Sequence, residues 1–488
     1  MDFLRLHAKS HPDWLALTDL YFERQLSYRE LDKLVASTTS LLLSQGISEG
    51  DRVACLSKNR AELVFLHFAC ARLGAIFVPL NWRLSVSELD GVLSDCEPAV
   101  VYADRFPDTL DLAIKDIDLL YGETEQMEPT WPEQKSPDNV SLMLYTSGTT
   151  GMPKGVMLSE RNLFEAAINF ALLGEVDSHS HFLCESPMFH IIGMVTSLRP
   201  ALMLGGHITI SDGFIPERTF NYLADRDLGV THYFCVPQMA RSIRAVDGFD
   251  PTLLTGLRAI FTGGAPHPEA QIRDWITDGV VIVDGYGMSE AGTVFGMPLD
   301  KAIIADKAGS VGFSTPRVQT RIVDDFGVTV PAGVPGELQI KGDNVTRGYW
   351  RKEAEFKKVM TDDGWFKTGD ILTCDDDGYY RVTDRKKDMY ISGGENVYPA
   401  EVEAQLVTFT GVQEFAVIGV PDKQWGEVGC LFYVPTKSDI SLDQVEAFLS
   451  DRLAKYKIPK KILKIDCMPR NAAGKLMRHQ LRRVYETA

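Results

Sequence analysis

The stretch "LMLYTSGTTGMPKGVML", residues 142–158, joins two apolar runs through a loop of glycines, hydroxyl side chains and one lysine. The run "VSLMLY" is typical of a strand, and "VMLSERNLFEAAINFA" continues towards a helix. Glycines let backbone N–H groups turn towards an anion, while serine and threonine hydroxyls add donors and Lys154 adds a positive charge. The stretch therefore predicts a phosphate-binding loop between a strand and a helix.

This loop differs from the common nucleotide-binding loop. A Walker A motif requires Gly-Lys followed by Ser or Thr, whereas here Pro153 precedes Lys154 and Gly155 follows it. The mismatch disfavours a P-loop ATPase. On this stretch alone, a Gly- and Thr-rich surface loop without a role is the remaining alternative.

Strand-like and helix-like segments alternate on the N-terminal side of the loop. In "LSYRELDKLVASTTSLLLSQG", Ser27 and Glu30 form a predicted capping box ahead of apolar residues at helical spacing. The short apolar runs "DRVACLS" and "GAIFVPLN" flank a helical "AELVFLHFACARLG". This alternation predicts βαβ units and an α/β fold with doubly wound sheets.

The texture changes in the last third of the chain. Residues 322–382 show short β-like runs with Gly/Asp turns, which predicts a β-rich subdomain. After "DRKKD" the alternation restarts with a helix at "PAEVEAQLVT", strands at "EFAVIGV" and "CLFYVP", and a helix from Ser441. We therefore predict a large N-terminal domain, 1–386, and a small mobile α+β C-terminal domain, 387–488.

Composition excludes some classes of protein. The formal net charge of -17 over 488 residues argues against nucleic acid as a partner. Residues 451–483 are the exception, with eleven Lys or Arg against two Asp, and this basic patch would attract small phosphate-bearing anions. The eight scattered cysteines favour buried, reduced thiols, and no secretory signal or membrane-length apolar run is visible. We expect a cytoplasmic protein without an integral membrane segment.

The segment "DGYGMSEAG" carries the richest chemistry in the chain. Tyr286 can stack on an adenine ring, and Asp284 can accept a hydrogen bond from its amino group. Ser289 can donate to an α-phosphate, and Glu290 is the kind of oxygen ligand that Mg²⁺ prefers. An ordinary strand-to-loop turn is the alternative for this segment taken alone.

Taken together, the motifs resemble those of the adenylate-forming enzymes, which include acyl-CoA synthetases, firefly-type luciferases and peptide-synthetase adenylation domains. After "YTSGTTGMPKG" come "SPMFHIIG", "TGGAP", "DGYGMSEAG", "GELQIKG", "GWFKTGD", "DRKKDMYISGGENVYPAEVE" and "PRNAAGKLMR", in the order of that family. The resemblance spans residues 26–478. Most relatives have threonine at the position of Ser289, so the hydroxyl is kept.

The resemblance implies the roles of many residues. The ATP/AMP site would comprise Thr146, Ser147, Gly148, Thr149, Thr150, Gly151, Lys154, Gly264, Ala265, Asp284, Gly285, Tyr286, Gly287, Ser289, Asp370, Arg385 and Lys475. The acyl pocket would comprise His190, Ile191, Phe234, Gly263, Gly287, Met288 and Ala291. The residues implied in catalysis are Lys475, Glu290, His190, Lys154 and Ser289, with Glu290 as the metal ligand.

Within this resemblance, Asp370 would bind the ribose hydroxyls, and Arg385 would bind the same ribose or a nearby phosphate. Lys475 would bridge carboxylate and α-phosphate in the first half-reaction only. The C-terminal domain of such enzymes then rotates, which brings "ISGGENVYP" to the site. Ser392, Gly393 and Gly394 would line the CoA channel, and Lys387 would be the hinge.

The implied reaction is ligation of a carboxylic acid to coenzyme A through an acyl-adenylate, with ATP and Mg²⁺. Since the predicted pocket stretches are apolar, aromatic or small, we expect a medium- or long-chain fatty acid, with an aryl or alicyclic acid as the alternative. A stand-alone ligase that loads an acyl carrier protein is the other alternative, and a homodimer is possible. A luciferase and a catalytically inactive binding protein fit the motifs less well.

Overall fold

The computed structural model describes residues 2–104, 114–146, 153–265, 267–385, 388–392, 395–436, 438–453, 455–470 and 476–487. The helices are α1 (Phe3–Ser10), α2 (Tyr28–Ser44), α3 (Ala61–Leu73), α4 (Val86–Cys96), α5 (Ile117–Glu125), α6 (Glu160–Leu173), α7 (Leu198–Met203), α8 (Pro216–Ala224), α9 (Pro237–Arg244), α10 (Glu269–Thr277), α11 (Lys301–Asp306), α12 (Glu353–Val359), α13 (Pro399–Leu406), α14 (Leu442–Leu449) and α15 (Arg478–Thr487). A π-helix spans Ile192–Ser197, and a 3₁₀-helix spans Pro251–Leu254.

The strands are β1 (Leu15–Asp19), β2 (Arg24–Ser27), β3 (Arg52–Leu56), β4 (Ile76–Leu80), β5 (Val100–Ala103), β6 (Ile114–Asp116), β7 (Val140–Thr146), β8 (Lys154–Ser159), β9 (His181–Cys184), β10 (His207–Ile210), β11 (His232–Cys235), β12 (Ala259–Thr262), β13 (Ile282–Asp284), β14 (Tyr286–Met288), β15 (Gly292–Gly296) and β16 (Phe313–Ser314). They continue with β17 (Gln319–Val323), β18 (Gly336–Lys341), β19 (Phe366–Cys374), β20 (Tyr380–Arg385), β21 (Tyr390–Ser392), β22 (Glu395–Val397), β23 (Val412–Asp422), β24 (Gly426–Pro435) and β25 (Lys461–Lys464).

The chain divides into two compact units. The first comprises Met1–Thr320 with Ile340–Phe366, and the second comprises Arg321–Gln339 with Lys367–Ala488. The second unit thus takes in most of the β-rich segment, which the sequence analysis assigned to the N-terminal domain. The boundary at 386/387 falls on residues outside the described ranges and stays a prediction.

Two largely parallel sheets dominate the first unit. One has the strand order β6-β5-β3-β4-β7-β8, and the other has the order β13-β12-β11-β9-β10-β1-β2. The predicted helix after β3 is α3, which is buried on almost every face. Strand β3, which contains Ala54, pairs in parallel with β4 on one side and β5 on the other. A short antiparallel sheet, β14-β15-β16, follows β13. The doubly wound α/β prediction is confirmed.

Local sequence signals set several helix ends as predicted. The Ser27 side chain accepts a hydrogen bond from the Glu30 N–H, and the Glu30 carboxylate accepts one from the Ser27 N–H at 2.8 Å. This reciprocal capping box satisfies two backbone donors at the start of α2. Ser441 caps α14 in the same way with Gln444.

The predicted loop-to-helix connection after residue 153 is wrong in one respect. A strand, β8, intervenes before α6 and pairs antiparallel with β7 from Thr146↔Lys154 to Val140↔Ser159. Val156 and Leu158 are buried while Met157 between them is partly exposed, which is the period of a strand rather than of a helix. The predicted strand–loop–helix order is therefore replaced by strand, hairpin strand and helix, with Lys154 as the first residue of the returning strand.

The second unit contains two further sheets. Strands β17-β18-β19-β20 form one, and β22-β21-β24-β23 with β25 beside β24 form the other. Alternate side chains of β23 and β24 face opposite layers: Val417 and Leu431 pack with α13 and α14, while Ile418 and Phe432 pack with Leu481 of α15. The predicted helix and strands of the C-terminal α+β domain are thus present.

Candidate active site

The β7–β8 hairpin brings Thr146 and Lys154 opposite each other, where they are Cα partners. Residues Ser147, Gly148, Thr149, Thr150 and Gly151 of the predicted phosphate loop lie outside the described residues. Gly155 shows how tightly the returning strand packs, since a Cβ there would lie 2.7 Å from Met143 Sδ and 3.2 Å from Trp350 Cβ. A side chain at this position would displace the strand that carries Lys154.

Lys154 forms a close ion pair in this structure. Its ammonium lies 2.6 Å from Glu355 Oε2 and 5.2 Å from the centre of the Tyr349 ring. The hydrogen bond from Lys154 holds the pKa of the Glu355 carboxyl below its ordinary value. Neither partner was singled out by the sequence analysis, because 195 or more residues separate them from Lys154 in the chain.

Glu290 lies in the turn between β14 and β15. Its Oε1 accepts a hydrogen bond from the Tyr349 hydroxyl at 2.9 Å, and its backbone oxygen accepts one from the Thr346 N–H at 2.6 Å. Burial, reinforced by the neighbouring carboxylate, raises the pKa of Tyr349, so its hydroxyl stays protonated and donates. The position of the Glu290 carboxylate is therefore fixed by a residue from a distant part of the chain.

The chemistry of Glu290 fits Mg²⁺. Among the described residues, no group of three or more His, Cys, Asp or Glu side chains is arranged to hold a metal ion. Mg²⁺ bound together with a nucleotide does not need such a cage, because one or two carboxylates, phosphate oxygens and water complete its coordination. A single oriented carboxylate is consistent with that mode of binding.

Tyr286 and Gly287 stand on β14, opposite β15. The Tyr286 ring is half-buried and lies 5.6 Å from the Phe295 ring at an interplanar angle of 39°. A Cβ on Gly287 would lie 2.4 Å from the Gly292 carbonyl oxygen, so only glycine lets the two strands approach. Gly285 and Met288 flank them, and Ser289 precedes Glu290 in the turn. Ala291, predicted for the acyl pocket, exposes none of its surface.

Asp284 ends β13 and is almost completely buried. The Thr262 hydroxyl donates to Oδ1 at 2.9 Å, and the His267 N–H donates to Oδ2 at 3.4 Å. Despite these donors, burial raises the pKa of Asp284 to about 7. Each carboxylate oxygen can accept two hydrogen bonds. The predicted hydrogen bond from the adenine amino group would therefore use an acceptor site that Thr262 and His267 do not occupy.

We expect Asp284→Asn to change how stability depends on pH. Because the native pKa is raised above 3.8, the folded state holds its proton more tightly than the unfolded state, and Asp284 lowers stability as pH rises towards 7. The variant has no ionisable group at this position. As pH rises, the unfolding free energy of the variant minus that of wild type should therefore increase by up to ~1.4 kcal/mol per pH unit. Denaturation of both proteins from pH 5 to 8 tests this, and parallel curves would contradict it.

His190 lies on the loop between β9 and the π-helix. Burial, with the Arg83 charge as a second cause, lowers the pKa of His190 to about 4, so the imidazole is neutral at pH 7. Its Nε2 is buried and has no hydrogen-bond partner among the described residues. The Arg83 guanidinium lies 5.7 Å from the ring centre of the adjacent Phe189. The sequence analysis missed Arg83, which lies about a hundred residues earlier.

The Asn59 side chain holds this loop through two hydrogen bonds. Its Nδ2 donates to the Ser186 carbonyl oxygen at 2.9 Å, and its Oδ1 accepts from the Met188 N–H at 2.8 Å. On the other side, a Cβ at Gly193 would lie 2.5 Å from the Pro187 carbonyl oxygen. The segment that carries His190 and Ile191 is thus packed from two directions. No sequence motif pointed to Asn59.

Phe234, Gly263 and Gly264 meet at the carboxyl ends of β11 and β12. Phe234 is half-buried beside Phe170 and Phe261, at ring distances of 5.8 and 6.3 Å. A Cβ on Gly263 would lie 3.3 Å from Phe234 Cζ, and a Cβ on Gly264 would lie 3.9 Å from Ile192 Cδ1. Ala265 follows and is exposed. The predicted acyl-pocket and nucleotide residues therefore converge here.

In the second unit, Asp370 and Arg385 are Cα partners on β19 and β20. The two residues are thus neighbours on adjacent strands, and their binding of a ribose or nearby phosphate stays a prediction. Asp370 is largely buried. Ser392 of the predicted CoA channel is buried on β21 opposite Gly426. Gly393, Gly394, Lys387 and Lys475 lie outside the described residues.

Family models match most of the chain. The AMP-binding enzyme model matches residues 4–350, and the model of the AMP-binding enzyme C-terminal domain matches residues 401–475. The chain belongs to the AMP-binding enzyme family. This confirms the family resemblance. The motifs from "YTSGTTGMPKG" to "GELQIKG" lie within the first match, and "PRNAAGKLMR" begins within the second, whereas "GWFKTGD" and most of "DRKKDMYISGGENVYPAEVE" lie between the two matches.

Individual relatives of this AMP-binding enzyme agree with that assignment. A feruloyl-CoA synthase of Amycolatopsis sp is 38% identical over 463 residues, 94% of each chain. The long-chain-fatty-acid–CoA ligase FadD13 of Mycobacterium tuberculosis is 33% identical over 498 residues, 99% of this chain and 97% of the relative. The crystal structure of ATP-bound MatB from Rhodopseudomonas palustris matches with a TM-score of 0.92 and 30% identity, over 99% of this chain and 98% of that one.

These relatives confirm the predicted enzyme class, an AMP-forming acid–thiol ligase of the acyl-CoA synthetase type. The solved structure confirms the predicted fold. In the described ranges, none of the helices has the length and apolar character that crossing a bilayer demands.

Proposed function

We propose that this enzyme joins an aromatic monocarboxylic acid, with no charged group besides its carboxylate, to coenzyme A and consumes ATP in the reaction. A carboxylate oxygen attacks the α-phosphorus of ATP, the bond to the bridging oxygen breaks, and pyrophosphate leaves with the bond electrons. The thiol of coenzyme A then attacks the acyl carbon, loses its proton and displaces AMP. Both steps need charge neutralisation and positioning more than covalent help from the protein.

The observation that carries the choice of acid is the contact between Gly263 and Phe234. Gly263 packs directly against the edge of the Phe234 ring, since a Cβ there would come within 3.3 Å of Phe234 Cζ, and Phe170 and Phe261 are the ring neighbours of Phe234. Aromatic rings prefer offset or edge-on neighbours at such distances, so we expect a flat acyl group to pack beside this aromatic cluster better than a branched one. The feruloyl-CoA synthase relative acts on an acid of this kind.

The nucleotide side of the proposal rests on Lys154 and Glu290. Lys154 supplies an ammonium for the phosphates at the end of the β7–β8 hairpin, and Glu290 would hold Mg²⁺ against them. When bound, Mg²⁺ neutralises the charge of the phosphates. ATP as the nucleotide is supported by the ATP-bound MatB structure.

A medium- or long-chain fatty acid is the second candidate. The FadD13 relative supports it, and the segments around His190 and Phe234 are as apolar as such an acid requires. If the pocket is a deep tunnel, each further buried methylene adds up to roughly 0.8 kcal/mol and the rate should rise with chain length. A stand-alone ligase that loads an acyl carrier protein differs only in the thiol.

A panel of acids tests the proposal. We expect kcat/KM for cinnamate or phenylacetate to exceed that for octanoate by about 10-fold, because the acyl ring pairs with Phe234. CoA-dependent AMP release is the measurement, with palmitate and phthalate as further arms. Preference for octanoate or palmitate would establish the fatty-acid alternative, and preference for phthalate would point to Arg83 as the partner of a second carboxylate.

Gly263→Ala tests the pocket itself. The added methyl should raise KM for the aromatic acid by about 10-fold or more, since one methyl group in a substrate pocket discriminates by that order. KM for ATP should stay within about 2-fold. Gly256→Ala is the control, because a Cβ there meets nothing closer than the Val230 carbonyl oxygen at 3.9 Å. Equal effects of the two substitutions would contradict the assignment of Gly263.

A further inference from the structure

The segment 346–355 runs antiparallel beside strand β8 and reaches both charged groups of the nucleotide site. Its backbone pairs with the strand: the Met157 N–H donates to the Gly348 oxygen at 3.1 Å, and the Trp350 N–H donates to the Gly155 oxygen at 2.8 Å. Tyr349 sits between these bonds, bridged to Val156. We call 346–355 the flanking segment. Its position is fixed by backbone pairing rather than by loop packing.

Tyr349 contacts two groups of opposite charge with two different parts of its side chain. Its hydroxyl donates to Glu290 Oε1 at 2.9 Å, while its ring lies 5.2 Å below the Lys154 ammonium. The ring is 5% exposed and packs edge-on against Phe356 at 5.6 Å. One rigid side chain therefore sets the spacing between the carboxylate and the ammonium.

Glu355, at the end of the flanking segment, supplies the anion that Lys154 contacts. The two side chains are 36% and 19% exposed, and the atoms are 2.6 Å apart. Ion pairs of such exposure contribute little net stability, so a phosphate group with more negative charge can take the place of the carboxylate. Lys352 also reaches this point, because its ammonium donates to the Pro153 oxygen at 3.2 Å.

We propose that Tyr349 is a positioning residue that sets Glu290 for the metal and Lys154 for phosphate, and that Glu355 holds Lys154 until a nucleotide phosphate replaces it. The inference deepens the proposed function and rests on it. A metal-binding carboxylate that is free to rotate must be ordered when the metal arrives, whereas one held by a hydrogen bond is already oriented. Removing such a supporting bond typically weakens metal binding by 10- to 100-fold, roughly.

Tyr349→Phe tests the first half of the inference. The substitution removes the hydroxyl and keeps the ring under Lys154. With the non-hydrolysable analogue α,β-methylene-ATP bound, we expect the affinity for Mn²⁺, measured from the electron paramagnetic resonance signal of free Mn²⁺, to fall about 10-fold. Metal-free affinity for the analogue should stay within about 2-fold, since the Lys154 contact is retained.

Tyr102→Phe is the matched control. The Tyr102 hydroxyl is also buried and donates to Gln45 Oε1 at 2.9 Å in the same compact unit, so its loss removes a buried tyrosine hydrogen bond, here one to a neutral acceptor away from the predicted site. We expect Mn²⁺ affinity to be unchanged in this variant. If both phenylalanine variants weakened Mn²⁺ equally, a general loss of stability would explain the effect and the inference would be overturned.

A double-mutant cycle with Glu290→Gln shows whether Tyr349 acts through Glu290. If it does, adding Tyr349→Phe to the glutamine variant should lower Mn²⁺ affinity by less than about 2-fold. An undiminished effect in that background would exclude the hydrogen bond as the cause. Wild type that binds neither Mn²⁺ nor the analogue would instead refute the proposed function, so the two failures are distinguishable.

Glu355→Gln tests the exchange and does not depend on the folding of the Tyr349 variant. Without the carboxylate, Lys154 loses the anion that it contacts among the described residues and the phosphates meet less repulsion, so metal-free affinity for α,β-methylene-ATP should rise by about 2- to 5-fold. The gain should shrink as salt concentration rises. Unchanged or weaker binding would overturn the role assigned to Glu355.

Discussion

Replacing Glu290 with glutamine is expected to slow acyl-adenylate formation by at least ~100-fold. Glutamine keeps the size of the side chain and can still accept the Tyr349 hydroxyl through its amide oxygen, so the turn between β14 and β15 should stay folded. The negative charge is what disappears, and with it the proposed ligand for Mg²⁺. Pyrophosphate release without coenzyme A, at saturating ATP and acid, measures the step directly.

The same substitution at Glu49 is the control for this result. Glu49 belongs to the same compact unit and pairs with Lys135 at 2.9 Å on the surface. Loss of such a pair should leave pyrophosphate release within about 2-fold of wild type. Wild-type activity in Glu290→Gln would show that another group holds the metal. A Mg²⁺ dependence shifted to higher concentration, at a restored maximal rate, would mean that Glu290 sets metal affinity only.

Local order in the sequence predicted much of the first unit. The capping box of Ser27 and Glu30 and the alternating apolar runs of β3, α3 and β4 depend on residues within a few positions of each other. Such short-range signals act before tertiary contacts form, so they survive in the folded chain. The "DGYGMSEAG" segment likewise places Asp284, Tyr286 and Glu290 on neighbouring elements because it is contiguous.

The parts that escaped prediction depend on contacts between distant residues. Strand β8 was missed because "KGVMLS" alone fits a strand or the approach to a helix, and only pairing with β7 decides between them. Tyr349 is 59 residues from Glu290, and Asn59 is 129 residues from Met188. Helix and strand periodicities relate residues only a few positions apart, so they cannot predict contacts between such distant residues. The partners that orient the site were therefore invisible in the sequence, although its motifs singled out Lys154 and Glu290 themselves.

Replacing Lys475 with alanine is expected to lower acyl-adenylate formation by at least ~100-fold, because the family resemblance assigns its ammonium to the charge that develops in this step. Lys475 lies outside the described residues, but its surroundings in the second unit are anchored. Arg470 and Leu476 form an antiparallel bridge, and the Met477 N–H donates to the Pro469 oxygen at 2.8 Å. Beyond them, Arg478 forms hydrogen bonds of 2.6 and 2.7 Å with the Glu403 carboxylate.

The prediction is specific to one half-reaction. A lysine needed only to neutralise the α-phosphate during adenylation has no task once acyl-AMP exists, so thioester formation from supplied acyl-AMP should stay within about 3-fold of wild type. Lys464→Ala is the matched control, since this exposed lysine of the same unit pairs with Asp439 at 2.8 Å. Equal losses in both half-reactions would show that Lys475 supports the fold or both steps, and the assignment of Lys475 to adenylation would then be wrong.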